Sequence, residues 1–348
     1  MEIERAIKTK INQVDFKNLS FGETFSDHMF LCDYLKGKWN TPKIIPYQPI
    51  TLDPSTSALH YGQAVFEGMK AYKDNNGGVW MFRPKENWLR LNKSCKRMKI
   101  PEFPEDYFMK GLKKLLSMDS EWIQSGGENS LYIRPFVFAS QPTVQAAPSK
   151  EYKFIIICSP AKSYYNDSEF NVLIAEKFSR AADGGVGYAK AAGNYGAQFY
   201  PTSIAQQKGY QQVVWTDANE HKYLEEAGTM NIFVRIDNKI ITAPTNDRIL
   251  DSVTRKSAIQ LAKDMGIDVE VRSITVNEVV NALNDGSLKE IFGTGTAVVV
   301  IPITGFGYKK IDYKLPSIKD SYAKRLKTAI TEIQYNISDD PYNWRVRV

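Results

Sequence analysis

The rhythm of apolar and polar positions assigns most elements of the chain. Residues 27–34 (DHMFLCDY) read as a strand, and Pro42, Pro46 and Pro49 punctuate the stretch after it. Residues 59–72 mix aromatics with glycines and keep neither a period of two nor one of 3.6. Asn75-Asn76-Gly77-Gly78 is a turn signal between apolar runs and predicts a hairpin. Pro84 opens a helix on which Trp88, Leu91, Cys95 and Met98 form one stripe, with Arg90 off it. Residues 104–118 predict a second helix, with Phe108, Leu112, Leu115 and Leu116 inward.

Residues 130–140 and 153–159 are rich in Ile, Val, Phe and Tyr and read as strands. Polar residues then dominate from Ser159 to about Phe170, with Pro160 at the start. That shift predicts a small N-terminal α/β domain over 1–160, an interdomain loop over 161–172 and a large C-terminal domain over 173–348. In the second half, 211–215 reads as a strand, and 231–242 as a hairpin turning at Asp237-Asn238. A helix over 251–265 is closed by Gly266. Thr275 and Glu278 form a capping box for a short helix ending near Gly286. Residues 290–303 read as an apolar strand interrupted at Gly293-Thr294-Gly295-Thr296, and 321–335 as a closing helix. Hairpins among the helices exclude a pure βαβ alternation and favour two α/β or α+β domains.

Composition narrows the chemistry. At 348 residues, 43% hydrophobic and 24% charged, the chain has the make-up of a soluble globular protein. A net charge of +6 without a basic block gives no sign of a nucleic-acid partner. No apolar run is long enough to span a bilayer, so no membrane association is expected. Cys32, Cys95 and Cys158 are scattered and form no CxxC, and His28, His60 and His221 form no HxxxH pair. Those counts predict a reducing compartment and no metal site. The charged start MEIERAIKTK lacks an apolar core, so no signal peptide is read and a cytoplasmic location is expected. GxGxxG after a strand and Walker A are both absent.

One stretch stands out chemically. Lys190 sits in Gly184-Gly185-Val186-Gly187-Tyr188-Ala189-Lys190-Ala191-Ala192-Gly193-Asn194-Tyr195-Gly196, a long amine among residues with almost no side chain. It is either a solvated lysine in a glycine-rich loop, or a lysine that forms a Schiff base with an aldehyde cofactor. A pyridoxal phosphate site would also need a carboxylate for the ring nitrogen, N–H groups and an arginine for the phosphate, and a clamp for the substrate carboxylate. Glu226, the helix start at Ser252, Val253 and Thr254, Arg90, and the turn at Thr296 and Ala297 are candidates. Taken singly, each has a structural alternative: a surface carboxylate, a solvated helix arginine, a β-bulge.

Together the pieces decide more. Lys190 with Gly193-Asn194-Tyr195-Gly196, then 226–231 (EAGTMN), then 292–297 (FGTGTA) closely resemble the branched-chain amino acid aminotransferases, fold-type IV pyridoxal phosphate enzymes. The resemblance runs in order through Leu59-His60-Tyr61, 66–71 (FEGMKA), Phe82-Arg83-Pro84 and 132–135 (YIRP), and covers roughly residues 25–336. It implies a two-domain fold with the cofactor held between the domains, the C-terminal domain binding most of it, and a homodimer. It implies transfer of an amino group between L-leucine, L-isoleucine or L-valine and 2-oxoglutarate. By that resemblance Lys190 is the catalytic lysine, Tyr195 meets the cofactor's phenolic oxygen and Glu226 its pyridine nitrogen. Arg90, Val253, Thr254 and Thr296 hold the phosphate, and Leu250 packs under the ring. Thr296 and Ala297 meet the substrate carboxylate. Tyr61, Phe66, Tyr132 and Tyr164 wall the side-chain pocket, with Arg134 near its mouth. Some relatives carry a CxxC after the Gly-Thr-Ala turn; Val298 and Ile301 stand in those places here. A D-amino acid aminotransferase or an aminodeoxychorismate lyase of the same fold is the alternative enzyme, and a non-catalytic cofactor carrier the alternative of another class.

Overall fold

The computed structural model describes residues 1–126, 129–162 and 169–348. The chain forms two compact units, one of Met1–Tyr164, Ala189–Gly193 and Glu332–Val348, the other of Tyr165–Tyr188 and Asn194–Thr331. The segment bearing Lys190 and the C-terminal residues therefore fold with the first unit, although both lie downstream of the expected boundary. The expected interdomain loop lies partly outside the described residues.

The first unit is built on one ten-stranded sheet. Its strands are β1 (Glu2–Ile3), β2 (His28–Leu35), β3 (Lys38–Trp39), β4 (Lys43–Pro46), β5 (Ala64–Phe66), β6 (Met69–Lys73), β7 (Val79–Phe82), β8 (Ser130–Ala139), β9 (Tyr152–Ala161) and a closing strand, Arg345–Arg347. The order runs β1-β4-β2-β9-β8-β6-β7 and ends on the closing strand; β3 pairs with β2, and β5 with β8. All pairs are antiparallel except β1 with β4. The Asn75–Gly78 signal is the β6–β7 hairpin, closed on Lys73 and Val79. The aperiodic 59–72 stretch resolves into a short helix α1 (Ser57–Tyr61) and the two strands β5 and β6, too short for any period to show.

Helices α2 (Pro84–Arg97) and α3 (Glu105–Met118) complete the unit. On α3, Phe108, Leu112, Leu115 and Leu116 are all buried, as their spacing predicts. The core beneath is aromatic: Phe103 stacks on Phe154 at 3.8 Å, and Phe30 meets Phe154 edge-on at 5.8 Å. Such pairs add about 0.5–1.5 kcal/mol each beyond area burial. Helix α2 departs from the expected stripe. Its buried positions are Pro84, Asn87, Arg90, Leu91, Asn92, Ser94 and Cys95. Trp88 and Met98 are only half-buried, and a polar row of Asn87, Arg90 and Ser94 faces inward beside Leu91 and Cys95. A hydrophobic count is blind to that row, because it registers only apolar burial.

The second unit carries a second ten-stranded sheet. Its elements in chain order are β10 (Asn171–Ile174), the short helix α4 (Ala192–Gly196), whose first two residues belong to the first unit, α5 (Phe199–Gln207), β11 (Gln212–Thr216), β12 (Leu224–Ala227), β13 (Met230–Ile236), β14 (Lys239–Thr242), α6 (Val253–Asp264), β15 (Asp268–Val271), α7 (Val276–Asn284), β16 (Leu288–Gly295), β17 (Val299–Ile303), β18 (Gly305–Tyr308), β19 (Ile311–Lys314) and α8 (Tyr322–Gln334), whose last three residues belong to the first unit. The sheet is mixed: β10 is parallel to β11 and β18, β14 is parallel to β15, and the remaining pairs are antiparallel. Its core gathers Phe170, Val172, Val234, Ile241, Val279 and Phe306.

Two local expectations change here. Thr275 caps α7, its Oγ1 accepting the Glu278 N–H at 3.0 Å, but the return half of the capping box is replaced. Glu278 spends its carboxylate on Arg272 at 2.7 Å. The apolar run 290–303 is two antiparallel strands, and Gly293 and Thr294 lie inside β16. The chain turns at residues 296–298 instead, because Gly293 to Gly295 continue the ladder with Val299 to Ile301.

Candidate active site

In the first unit, Lys190 is held at its backbone from both sides. Its N–H donates to Ser94 Oγ at 2.9 Å, and its carbonyl accepts the Phe66 N–H at 3.1 Å. Ala191 forms a bridge with Val65. The ammonium lies 4.9 Å from the centre of the Phe66 ring. Tyr132 and Arg134 are two residues apart on β8 and therefore share a face. Arg134 donates to the Tyr132 hydroxyl at 2.9 Å and sits 4.6 Å from the centre of the Phe66 ring. Gly68 makes this packing possible, since a Cβ there would run into the Tyr132 hydroxyl.

Arg90 is buried on α2 and forks onto Glu67, which is fully enclosed. Arg90 Nε donates to Oε1 at 2.8 Å and Nη2 to Oε2 at 2.8 Å. Asn87 Nδ2 adds a third bond to Oε2 at 2.8 Å, and the Gly68 N–H a fourth at 3.2 Å. Burial alone would raise the Glu67 carboxyl. The Arg90 guanidinium, and to a smaller degree Lys190, outweigh it and hold the group below the ordinary glutamate range.

The second unit assembles a different set. Glu226 on β12 is buried; Arg180 Nη1 pairs with its Oε2 at 2.9 Å, and the Leu250 N–H donates to its Oε1 at 2.7 Å. Asn231, its cross-strand neighbour, donates to the Leu250 carbonyl at 3.2 Å. Leu250 is buried directly ahead of α6, whose N-cap Ser252 accepts the Arg255 N–H at 3.2 Å. The N–H groups of Val253 and Thr254 then begin the helix without acceptors inside it, a donor set suited to an anion. Arg180 also donates to the Gly187 carbonyl, at 3.2 Å from Nη1 and 3.1 Å from Nη2. A Cβ at Gly187 would collide with Ala181 and with the Arg248 backbone. The neighbouring Glu225 faces Arg248, which also pairs with Asp183. Burial pushes the Glu225 carboxyl above its ordinary value, and Arg248 offsets only part of that.

Tyr195 stands half-buried on α4. Thr296 and Ala297 occupy the β16–β17 turn, half-buried. Val299, which closes that turn, has φ of 61°, a strained conformation for a β-branched residue. Tyr61 is exposed on α1, where its hydroxyl donates to the Val144 carbonyl. Tyr164 lies outside the described residues.

Residues 64–306 match the family described as amino-transferase class IV. The chain is 43% identical over 356 residues to branched-chain-amino-acid transaminase 1 of Bacillus subtilis, covering 100% of this chain and 99% of that protein. The chain belongs to the branched-chain-amino-acid aminotransferases of class IV. Its fold agrees with the branched-chain aminotransferase of Thermoproteus uzoniensis crystallised with norvaline, at TM-score 0.76 and 21% identity, over 92% of this chain and 99% of that one. The enzyme of Thermobaculum terrenum in its PLP form superposes at TM-score 0.74 and 22% identity, over 91% and 97%.

A branched-chain aminotransferase of class IV implies pyridoxal phosphate, and the residues present fit it. A tethered lysine and a buried arginine stand in one unit. The other unit carries a carboxylate fixed at both oxygens and a helix start presenting open N–H groups. Sequence reasoning missed Glu67, Ser94 and Arg180. The inward polar row on α2 would have pointed to Ser94, had polar positions been counted at helical spacing. Glu67 and Arg180 left no such signal, since their partners lie 23 and 46 residues away.

Proposed function

We propose that the chain transfers amino groups between branched-chain L-amino acids and 2-oxoglutarate, using pyridoxal phosphate carried on Lys190. The observation that carries this reading is the seating of Lys190, fixed at both backbone groups with its amine over Phe66. Arg90 and the first-turn N–H groups of α6 receive the phosphate, with Thr296 assisting. Glu226 would meet the ring nitrogen, Leu250 would pack against the ring and Tyr195 would donate to the phenolic oxygen. When bound, the cofactor withdraws electrons from the substrate's α-carbon. Lys190 Nζ takes the α-proton of the substrate and hands it on, a role its fixed backbone suits. The N–H groups of Thr296 and Ala297 orient the substrate carboxylate.

Phe66 and Tyr132 form the apolar wall for an isobutyl or isopropyl group. Arg134 beside that wall serves the γ-carboxylate of 2-oxoglutarate, so one pocket takes both partners. Among the described residues, its Nε is buried without a hydrogen-bond partner. Leu59, Tyr61 and Val144 leave apolar side chains exposed in the first unit and support a homodimer; Tyr61 keeps its assignment to the wall of the side-chain pocket. No described helix is long and apolar enough to cross a membrane; a cytoplasmic location is part of this reading.

The test is an amino-donor screen with 2-oxoglutarate, following the cofactor's absorption, with borohydride reduction and peptide mapping of the same preparation. Leucine, isoleucine and valine should be the fastest donors and the reduced adduct should fall on Lys190. Preference for D-amino acids, or an adduct on another lysine, would overturn the reading.

A further inference from the structure

Four hydrogen-bonded links in the first unit close on themselves. Glu67 takes the fork of Arg90 at 2.8 Å on each oxygen. The Arg90 carbonyl accepts Ser94 Oγ–H at 3.0 Å. Ser94 Oγ in turn accepts the Lys190 N–H at 2.9 Å. The Lys190 carbonyl accepts the Phe66 N–H at 3.1 Å, and Phe66 is bonded to Glu67. Ser94 and Glu67 have no measurable exposure, so water does not compete at those two side chains. The circuit joins one helix, one strand and the lysine segment, and it passes through the Arg90 side chain and the Lys190 backbone, the two residues assigned to the cofactor.

Pyridoxal phosphate carries its aldehyde and its phosphomethyl arm on neighbouring ring carbons. An amine that captures the aldehyde and a guanidinium that receives the phosphate must therefore stand at one fixed separation. We infer that Glu67 and Ser94 are positioning residues that set this separation before the cofactor arrives, Glu67 by orienting the Arg90 fork and Ser94 by tying the Lys190 backbone to the carbonyl of Arg90 itself. The inference rests on the proposed roles of Lys190 and Arg90. Glu67 acts through the Arg90 guanidinium and Ser94 through the Lys190 backbone N–H. Their effect is to make phosphate binding and aldehyde capture reinforce each other, so that binding at one anchor raises the effective concentration at the other.

Two aldehydes separate this role from a merely structural one. Pyridoxal lacks the phosphate and engages only Lys190, whereas pyridoxal phosphate engages both anchors. In capture, the Lys190 nitrogen replaces the aldehyde oxygen, which leaves as water, and the absorbance change gives the rate for each aldehyde with the cofactor-free full-length chain. The quantity read is the ratio of the two rates. In Ser94→Ala the advantage of pyridoxal phosphate over pyridoxal should fall about tenfold, the size of effect a lost buried hydrogen bond produces. Glu67→Gln opens the circuit at its other end and should lower the same ratio. Because the two residues act in one circuit, the double variant should lose less than the product of the single losses.

A ratio unchanged from the parent in either folded variant, even with a lowered melting temperature, would reduce that residue to a packing role and sink the proposal. Losses that multiply in the double variant would also sink it. Borohydride mapping on the same samples keeps the two readings apart. An adduct away from Lys190 overturns the cofactor assignment, while an adduct on Lys190 with an unchanged ratio overturns the circuit alone.

Discussion

At the scale of single residues, the site depends on charges whose partners are fixed. Glu226 has both oxygens occupied, by Arg180 and by the Leu250 N–H. Glu226→Gln keeps the shape and removes the charge that would face the ring nitrogen. We expect single-turnover conversion of L-leucine to slow by ~10²- to 10⁴-fold in cofactor-saturated variant, with cofactor affinity changed far less. Equal rates would transfer the role to another carboxylate. Glu67 yields a prediction in pH. Glu67→Gln leaves Arg90 a buried cation without its counter-ion, a loss of about 3–5 kcal/mol at neutral pH. The Glu67 carboxyl titrates below its unfolded value in the folded chain. Its stabilisation is therefore complete above the unfolded value of about 4.3 and is lost as pH falls through the lower folded value. Urea midpoints of parent and variant should stay apart from pH 7 to about 5 and converge in stronger acid; a gap that widens in acid would contradict the assignment.

At the scale of elements, the β16–β17 turn is the instructive case. The sequence interrupts the strand at Gly293-Thr294-Gly295-Thr296 and follows it with the five-residue apolar run Ala297–Ile301, yet the chain reverses at residues 296–298 and Val299 takes a left-handed φ of 61°. Non-glycine residues bear about 1–2 kcal/mol in that region. The ladder with β16, five pairs from Ile291–Ile303 to Gly295–Val299, imposes it. Val299→Gly removes the strain and lets the turn sample other shapes. We expect KM for the amino acid to rise about three- to tenfold with kcat within about twofold, the signature of lost uniform binding. An unchanged KM would mean that the turn does not orient the substrate. Helix α2 makes the complementary point. Leu91 and Cys95 were legible as its inner face, but Asn87, Arg90 and Ser94 share that face, and polar residues announce burial only once their partners are known.

At the scale of the whole molecule, Leu59, Tyr61 and Val144 leave apolar side chains exposed in the first unit, the Tyr61 hydroxyl reaching the Val144 carbonyl. Leu59→Glu should shift sedimentation equilibrium toward monomer and lower activity in proportion to the monomer fraction. A parent that sediments as a fully active monomer would refute the dimer.

Much was determined by the sequence alone. The β6–β7 and β13–β14 hairpins, α3 with its inward face, α6 closed before Gly266 and the cap at Thr275 all follow from signals within about fifteen residues, where steric and capping rules act. The Lys190 loop and its ordered companions identified the family for the same reason: each motif is local. Tertiary structure alone decided the rest. It brought residues 189–193 to the first unit and joined Glu67 to Arg90 and Arg180 to Glu226. It also turned Ser94 from a polar interruption into the tether of the Lys190 backbone. Those pairings depend on loop closure and on strand register, and a buried charge carries no mark in the sequence that distinguishes it from a solvated one.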